Sequence, residues 1–137
     1  MVAGVKVLVD TSVWSQALRR RSPRHGGVVE VLRRLVEEGR AAILGPIRQE
    51  LLSGIKHQAH YERLREALHA FPDEVIEPED YERAAAHFNT CRRKGVQASN
   101  TDFLICAVAE RLGAPILTTD SDFTLLRRHL PVRLAAP

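Results

Sequence analysis

Val5-Lys6-Val7-Leu8-Val9-Asp10-Thr11-Ser12-Val13-Trp14 is an apolar run of strand length that meets a carboxylate and then a stretch able to start a helix. Strands buried on both faces read as near-continuous runs of branched apolar residues, as in parallel sheets covered by helices. Working outward, Ala41–Leu44 and Pro115–Leu117 are further strand-length apolar runs, separated by longer segments with apolar residues at helical spacing. That alternation indicates βαβ units and an α/β domain with a largely parallel sheet, in preference to a sandwich or a bundle.

The same reading places the other elements. Ser12 is expected to cap a short helix through Leu18, Ser22-Pro23 opens a loop, and Val28 to Glu38 forms a helix ended by Gly39. Gly45-Pro46 starts a helix carrying Glu50, with Pro46 near the first helical position, where its missing N–H costs nothing. His57 to Ala70 is amphipathic, Val75-Ile76 is a short extended piece, and a helix from about Glu79 to Lys94 precedes Gly95. Asn100 or Thr101 is expected to cap a helix from Asp102 to Leu112 that Gly113 closes. Phe123 to Leu130 reads as helical and Val132 to Leu134 as a final strand.

A chain of 137 residues with 45% hydrophobic content fits one globular domain, residues 1–137, with a single core. No apolar stretch approaches the ~20 residues that span a bilayer and no signal peptide is evident, so a cytoplasmic protein with no membrane partner is expected. Cys91 and Cys106 lack metal or redox spacing and read as buried small hydrophobes. The net charge is +3, but basic residues cluster at Arg19-Arg20-Arg21 with Arg24, Arg33-Arg34, Arg92-Arg93-Lys94 and Arg127-Arg128. Such clusters supply sequence-independent attraction to phosphates, although charge runs also simply solvate helix faces. Of these, the first and third are the stronger candidates for nucleic-acid contact.

Asp10, Glu50, Asp102 and Asp120 each stand beside a predicted element boundary. In an open parallel α/β sheet, residues just past the carboxyl ends of strands converge on one crevice. Two unit charges ~4 Å apart repel by ~4 kcal/mol at an effective dielectric of about 20, so converging acids must bind a cation, protonate or stay apart. Oxygen donors of this kind suit a hard divalent ion, Mg²⁺ or Mn²⁺. Each acid also has a plain reading: Asp10 as a helix cap, Glu50 on a solvated helix face, Asp102 as a first-turn carboxylate favoured by the helix dipole. His57 and His60 can share a helix face at i and i+3, but without a third ligand they form no zinc pattern.

Four blocks carry a family resemblance: Val9-Asp10-Thr11-Ser12-Val13-Trp14, Arg48-Gln49-Glu50-Leu51-Leu52-Ser53-Gly54, Thr101-Asp102-Phe103-Leu104-Ile105-Cys106-Ala107 and Leu117-Thr118-Thr119-Asp120-Ser121-Asp122-Phe123. Taken in order, they resemble a PIN-domain ribonuclease of the VapC toxin type, over essentially the whole chain. The resemblance implies a PIN-like three-layer α/β domain, its mostly parallel central sheet flanked by helices. It implies that Asp10, Glu50, Asp102 and Asp120 are catalytic metal ligands for Mg²⁺, with Mn²⁺ as substitute. Asp122 supports them as a further ligand, directly or through water, or else caps the helix beginning at Phe123. Thr11, Ser12, Thr118, Thr119 and Asn100 are candidates to orient carboxylates, water or a substrate phosphate. Trp14 matches a large apolar position after the first acid and reads as core.

The activity so implied is hydrolysis of RNA by metal-activated water, leaving 5′-phosphate and 3′-hydroxyl ends. The resemblance further implies a homodimer, a VapB-like antitoxin and toxicity through cutting tRNA or rRNA. Apolar positions such as Val28, Leu32, Leu51 and Ile55 could provide the antitoxin groove, or pack in the core. A noncatalytic PIN-like nucleic-acid-binding or regulatory module is the alternative, against which the full set of four acids counts. A haloacid-dehalogenase-like phosphotransferase would place Asp-x-Asp after the first strand, whereas Asp10 is followed by Thr11-Ser12. A receiver domain would need adjacent early acids and a late strand-end lysine, and neither is present.

Overall fold

The computed structural model describes residues 4–19 and 26–136. Three strands, β1 (Val7–Val9), β2 (Ala41–Ala42) and β3 (Ile116–Leu117), form one parallel sheet in the order β2-β1-β3. The registers pair Val7 with Ala41 and Leu8 with both Ala42 and Ile116. Helices α1 (Thr11–Leu18) and α2 (Gly26–Glu37) connect β1 to β2, and α3 (Gly45–Leu52), α4 (Gln58–Leu68), α5 (Pro78–Arg93) and α6 (Asn100–Leu112) connect β2 to β3. Helix α7 (Asp122–Leu126) follows β3.

This is the parallel sheet flanked by helices that the apolar runs predict. Because β1 is central, its first connection leads to one neighbour and the later chain returns to the other. The carboxyl ends of β1 and β3 therefore border a topological switch point, where α/β sheets open a crevice.

The strands are shorter than the apolar runs. Val5 is exposed, and pairing in the first strand begins at Val7. Ile43 and Leu44 stay fully buried beyond β2, with Ile43 making one parallel bridge to Asp73. The extended piece expected at Val75-Ile76 thus pairs two residues earlier, and Val75 is exposed. Val132–Leu134 is reduced to a bridge between Leu134 and Ile116, and α7 gives way to tight turns after Leu126.

The core is built around β1 and α6. Phe103 through Ala109 are all buried, so α6 is covered on every side rather than along one stripe, with α5 packed along it. Trp14 is the largest fully buried side chain; its Nε1 donates to the Val9 carbonyl at 3.1 Å and its ring meets Phe71 at 4.9 Å. Each such side chain contributes ~1.5–3 kcal/mol of transfer free energy. Cys91 and Cys106 are free and buried, and burial pushes the Cys106 thiol up to about 12, so it acts as a hydrophobe.

Among the described residues no helix is long and apolar enough to cross a membrane. Arg33 is paired with Glu30 and Glu37, the solvated-face reading of that cluster, while Arg92 lies 5.9 Å over Phe88. Arg20, Arg21, Arg24 and the Ser22-Pro23 loop lie outside the described residues.

Candidate active site

Four element ends position the acids. Asp10 follows β1 in extended conformation at the N-cap of α1, so the helix starts at Thr11 and the cap is Asp10, two residues earlier than a Ser12 cap. Its carboxylate makes no local capping bond. Asp10 Oδ2 instead accepts the Ser12 hydroxyl at 2.8 Å and the Thr118 hydroxyl at 2.8 Å. With 4% relative exposure, Asp10 is one of two buried charged residues in the described chain. A buried carboxylate persists only with such donors or a cation.

The two hydroxyls also tie β1 to the segment after β3. Thr118 Oγ1 accepts the Asp120 N–H at 2.9 Å, and Ser12 Oγ accepts the Thr119 N–H at 3.1 Å. Asp120 Oδ1 accepts the Asp122 N–H at 2.9 Å, so Asp120 supports the start of α7 and Asp122 lies within the helix rather than capping it.

Asp102 enters from the first turn of α6. Ser99, not Asn100 or Thr101, is the N-cap: its hydroxyl accepts the Asp102 N–H at 3.1 Å, while Asp102 Oδ2 accepts the Ser99 N–H at 3.2 Å. This reciprocal capping box fixes the carboxylate's position, and Gly113 closes the helix at φ +64°.

One carboxylate oxygen from each of Asp102, Asp120 and Asp122 lies within 4.8 Å of the others. Burial pushes the Asp102 carboxyl up to about 6; the bonds to Ser99 pull the other way, and the charges of Asp10 and Asp120 add to the rise. Such crowding is what a divalent cation with oxygen ligands relieves, so the donor set fits Mg²⁺ or Mn²⁺.

Other candidates sit differently. Glu50 is exposed on α3 and is not one of the acids in the cluster. Asn100 is exposed and lines a pocket with Phe88 and Tyr81, and among the described residues its side chain makes no hydrogen bond to a carboxylate. Thr119 Oγ1 accepts from Gln16 Nε2 at 2.8 Å, so it braces α1 rather than an acid. The Thr11 hydroxyl, next to Asp10, is buried without a hydrogen-bond partner among the described residues. Of the two strand-end threonines, Thr118 is the one whose hydroxyl reaches a carboxylate, as the Ser12 hydroxyl does.

The sequence model of the PIN domain matches residues 7–128. The chain is 35% identical over 133 residues to ribonuclease VapC11 of Mycobacterium tuberculosis, covering 95% of this chain and 98% of that protein. A VapC ribonuclease of Mycobacterium bovis matches to the same extent. Among solved structures, VapBC2 from Rickettsia felis, bound to a DNA fragment from their promoter, superposes with TM-score 0.77 at 16% identity, over 96% of this chain and 98% of that one. FitAcB from Neisseria gonorrhoeae gives 0.74 at 22% identity, over 96% and 97%. At these identities the structural likeness is one of fold, and the family assignment rests on the PIN domain match and the VapC sequences. The chain belongs to the PIN domain family, among its VapC-type members.

Proposed function

We propose that this chain is a metal-dependent endoribonuclease and the toxin of a type II toxin–antitoxin pair, acting in the cytoplasm on tRNA or rRNA. The observation that carries this reading is the Asp102, Asp120 and Asp122 cluster at a sheet switch point, next to the buried carboxylate of Asp10. The relatives named as VapC ribonucleases support the RNA substrate. Neighbours solved as VapBC complexes support a VapB-like antitoxin, and a homodimer completes the proposed assembly.

In this reading Asp102, Asp120 and Asp122 hold the cation, Asp10 completes its charge balance, and Ser12 and Thr118 fix Asp10 in place. A bound Mg²⁺ or Mn²⁺ would polarise the scissile phosphate and lower the pKa of the attacking water. The β1 and β3 ends bring Asp10 and Asp120 to the same edge of the sheet, where an RNA strand would reach them. Glu50, exposed on α3 and outside the three-acid cluster, would in this reading act on substrate or on a second ion.

The test is cleavage of total cellular RNA by purified protein with Mg²⁺ or Mn²⁺, alongside EDTA and Asp10→Asn controls. Discrete cuts lost in both controls support the reading, and cuts that persist in Asp10→Asn overturn the site. Metal binding without any cutting would favour the noncatalytic binding module.

A further inference from the structure

At the far end of α1 from the acids, Leu18 and Arg19 meet the start of α4 around a pocket of about 400 Å³ that His57, His60, Arg63 and Leu64 also line. Among the described residues no acid lines it. Some described arginines face carboxylates: Arg65, two residues from Arg63 on the same helix, pairs with Glu62 and Glu66. Arg19 and Arg63 have no such partner among the described residues.

The backbone adds to this. The first N–H groups of any helix lack intrahelical partners, and they carry the positive end of the dipole. His57 stands at the N-cap of α4 without a side-chain capping bond, and the first turn contains no acid. The carbonyl end of α1 is the opposing dipole, and Arg19 sits on it as the C-cap residue. Two guanidinium groups, two imidazoles and an uncapped helix start thus surround one concave site.

We infer that this pocket binds a phosphodiester of the RNA strand on which the acids act, an inference that rests on the nuclease reading. Helix α1 rises ~12 Å from Thr11 to Leu18, so the pocket and Asp10 stand at its two ends, a span that a few nucleotides bridge. Phosphate contacts of this kind position a strand without reading its bases. The pocket therefore sets how the strand enters the site and contributes affinity common to all sequences.

The probe is a labelled single-stranded oligoribonucleotide titrated at several salt concentrations against Asp120→Asn protein, which on the nuclease reading should hold RNA without cutting it. Each phosphate contact on a single strand contributes ~0.7 to the slope of log affinity against log salt. Arg63→Gln is expected to weaken binding several-fold and to flatten that slope by ~0.7, and adding Arg19→Gln by a similar step. Arg65→Gln, whose side chain is exposed and ion-paired, serves as the control and should match its parent.

An unchanged slope in both pocket variants overturns the inference. So does loss of binding to an acidic peptide with no loss for RNA, which would assign the pocket to a carboxylate-rich protein segment. Cleavage by otherwise wild-type protein carrying Arg63→Gln separates the two readings. No cutting by the parent sinks the nuclease, whereas normal cutting with an unchanged KM for long RNA sinks only the pocket.

Discussion

Thr118 and Asp10 are 108 residues apart, yet the Thr118 hydroxyl donates to Asp10 Oδ2 at 2.8 Å and accepts the Asp120 N–H at 2.9 Å. One oxygen thereby joins the acid after β1 to the acid after β3. Thr118→Val removes a donor from a buried carboxylate and an acceptor from a backbone amide, each worth ~1–3 kcal/mol when left unsatisfied. Asp10 keeps the Ser12 hydroxyl, so stability in urea unfolding should fall by ~1–3 kcal/mol in total, and Mg²⁺ affinity should fall with it as Asp120 loses its register. Thr118→Ser keeps the oxygen and should restore both; equal behaviour of the two variants would show that the hydroxyl is not the tie.

Asp80 and Arg111 form a second buried arrangement with a different purpose. Asp80 is 2% exposed, both of its oxygens accept from Arg111 Nε at 2.9 and 3.0 Å, and Oδ2 also takes the Glu77 N–H. Burial alone would raise the Asp80 carboxyl, but the Arg111 bond, the Glu77 amide and nearby positive charge hold it below its ordinary range. Arg111→Met leaves a buried charge without its partner, at a cost of ~3 kcal/mol, the lower end for such a pair because water reaches one side of the guanidinium. Chemical denaturation at neutral pH should record that loss, while RNA cleavage at low temperature stays near wild type, since the pair locks α5 to α6 away from the acids.

What the sequence reveals of this molecule follows from how local each signal is. The strand β1 and the buried helix α6 are legible because apolar runs report burial directly. The acids after β1 and β3 are legible because strand ends converge in this topology. The Asp80–Arg111 pair is not: Asp80 reads as one acid among several at a helix start, and its partner lies 31 residues on. Ser99 was hidden by two neighbouring residues of equal capping ability, and only the backbone decided among them. Glu50 matches its block by residue type, but whether a helix-borne side chain reaches a site depends on helix rotation, which spacing alone does not set.

Glu50 yields a direct comparison. It is exposed on α3, so Glu50→Gln should change stability by less than ~0.5 kcal/mol. Asp120→Asn removes a member of the three-acid cluster and should lower Mg²⁺ affinity by more than about tenfold, as disturbed ligand sets do. Calorimetric titration of both variants checks this. If Glu50→Gln loses affinity as severely, the cation sits closer to α3 than the three-acid cluster implies; if it loses only cleavage, Glu50 acts on substrate.

The pH dependence of the metal-free protein follows from Asp102. Its carboxyl rises from an ordinary 3.8 to about 6, with burial the largest cause. Between those values the folded protein holds a proton that the unfolded chain has released, so stability declines as pH rises. The contribution of the protonated group is complete below 3.8 and lost through about 6. Asp80 has the opposite sign and acts only below its ordinary 3.8, so the two windows do not overlap. In EDTA, the melting temperature of wild type relative to Asp102→Asn should therefore fall from pH 4 to 7. Because Mg²⁺ competes with the proton for the same oxygens, saturating metal should cancel that fall near pH 7 and do little at pH 4. Parallel melting curves for the two proteins in EDTA would mean that Asp102 ionises freely and that the three acids are not crowded enough to need a cation.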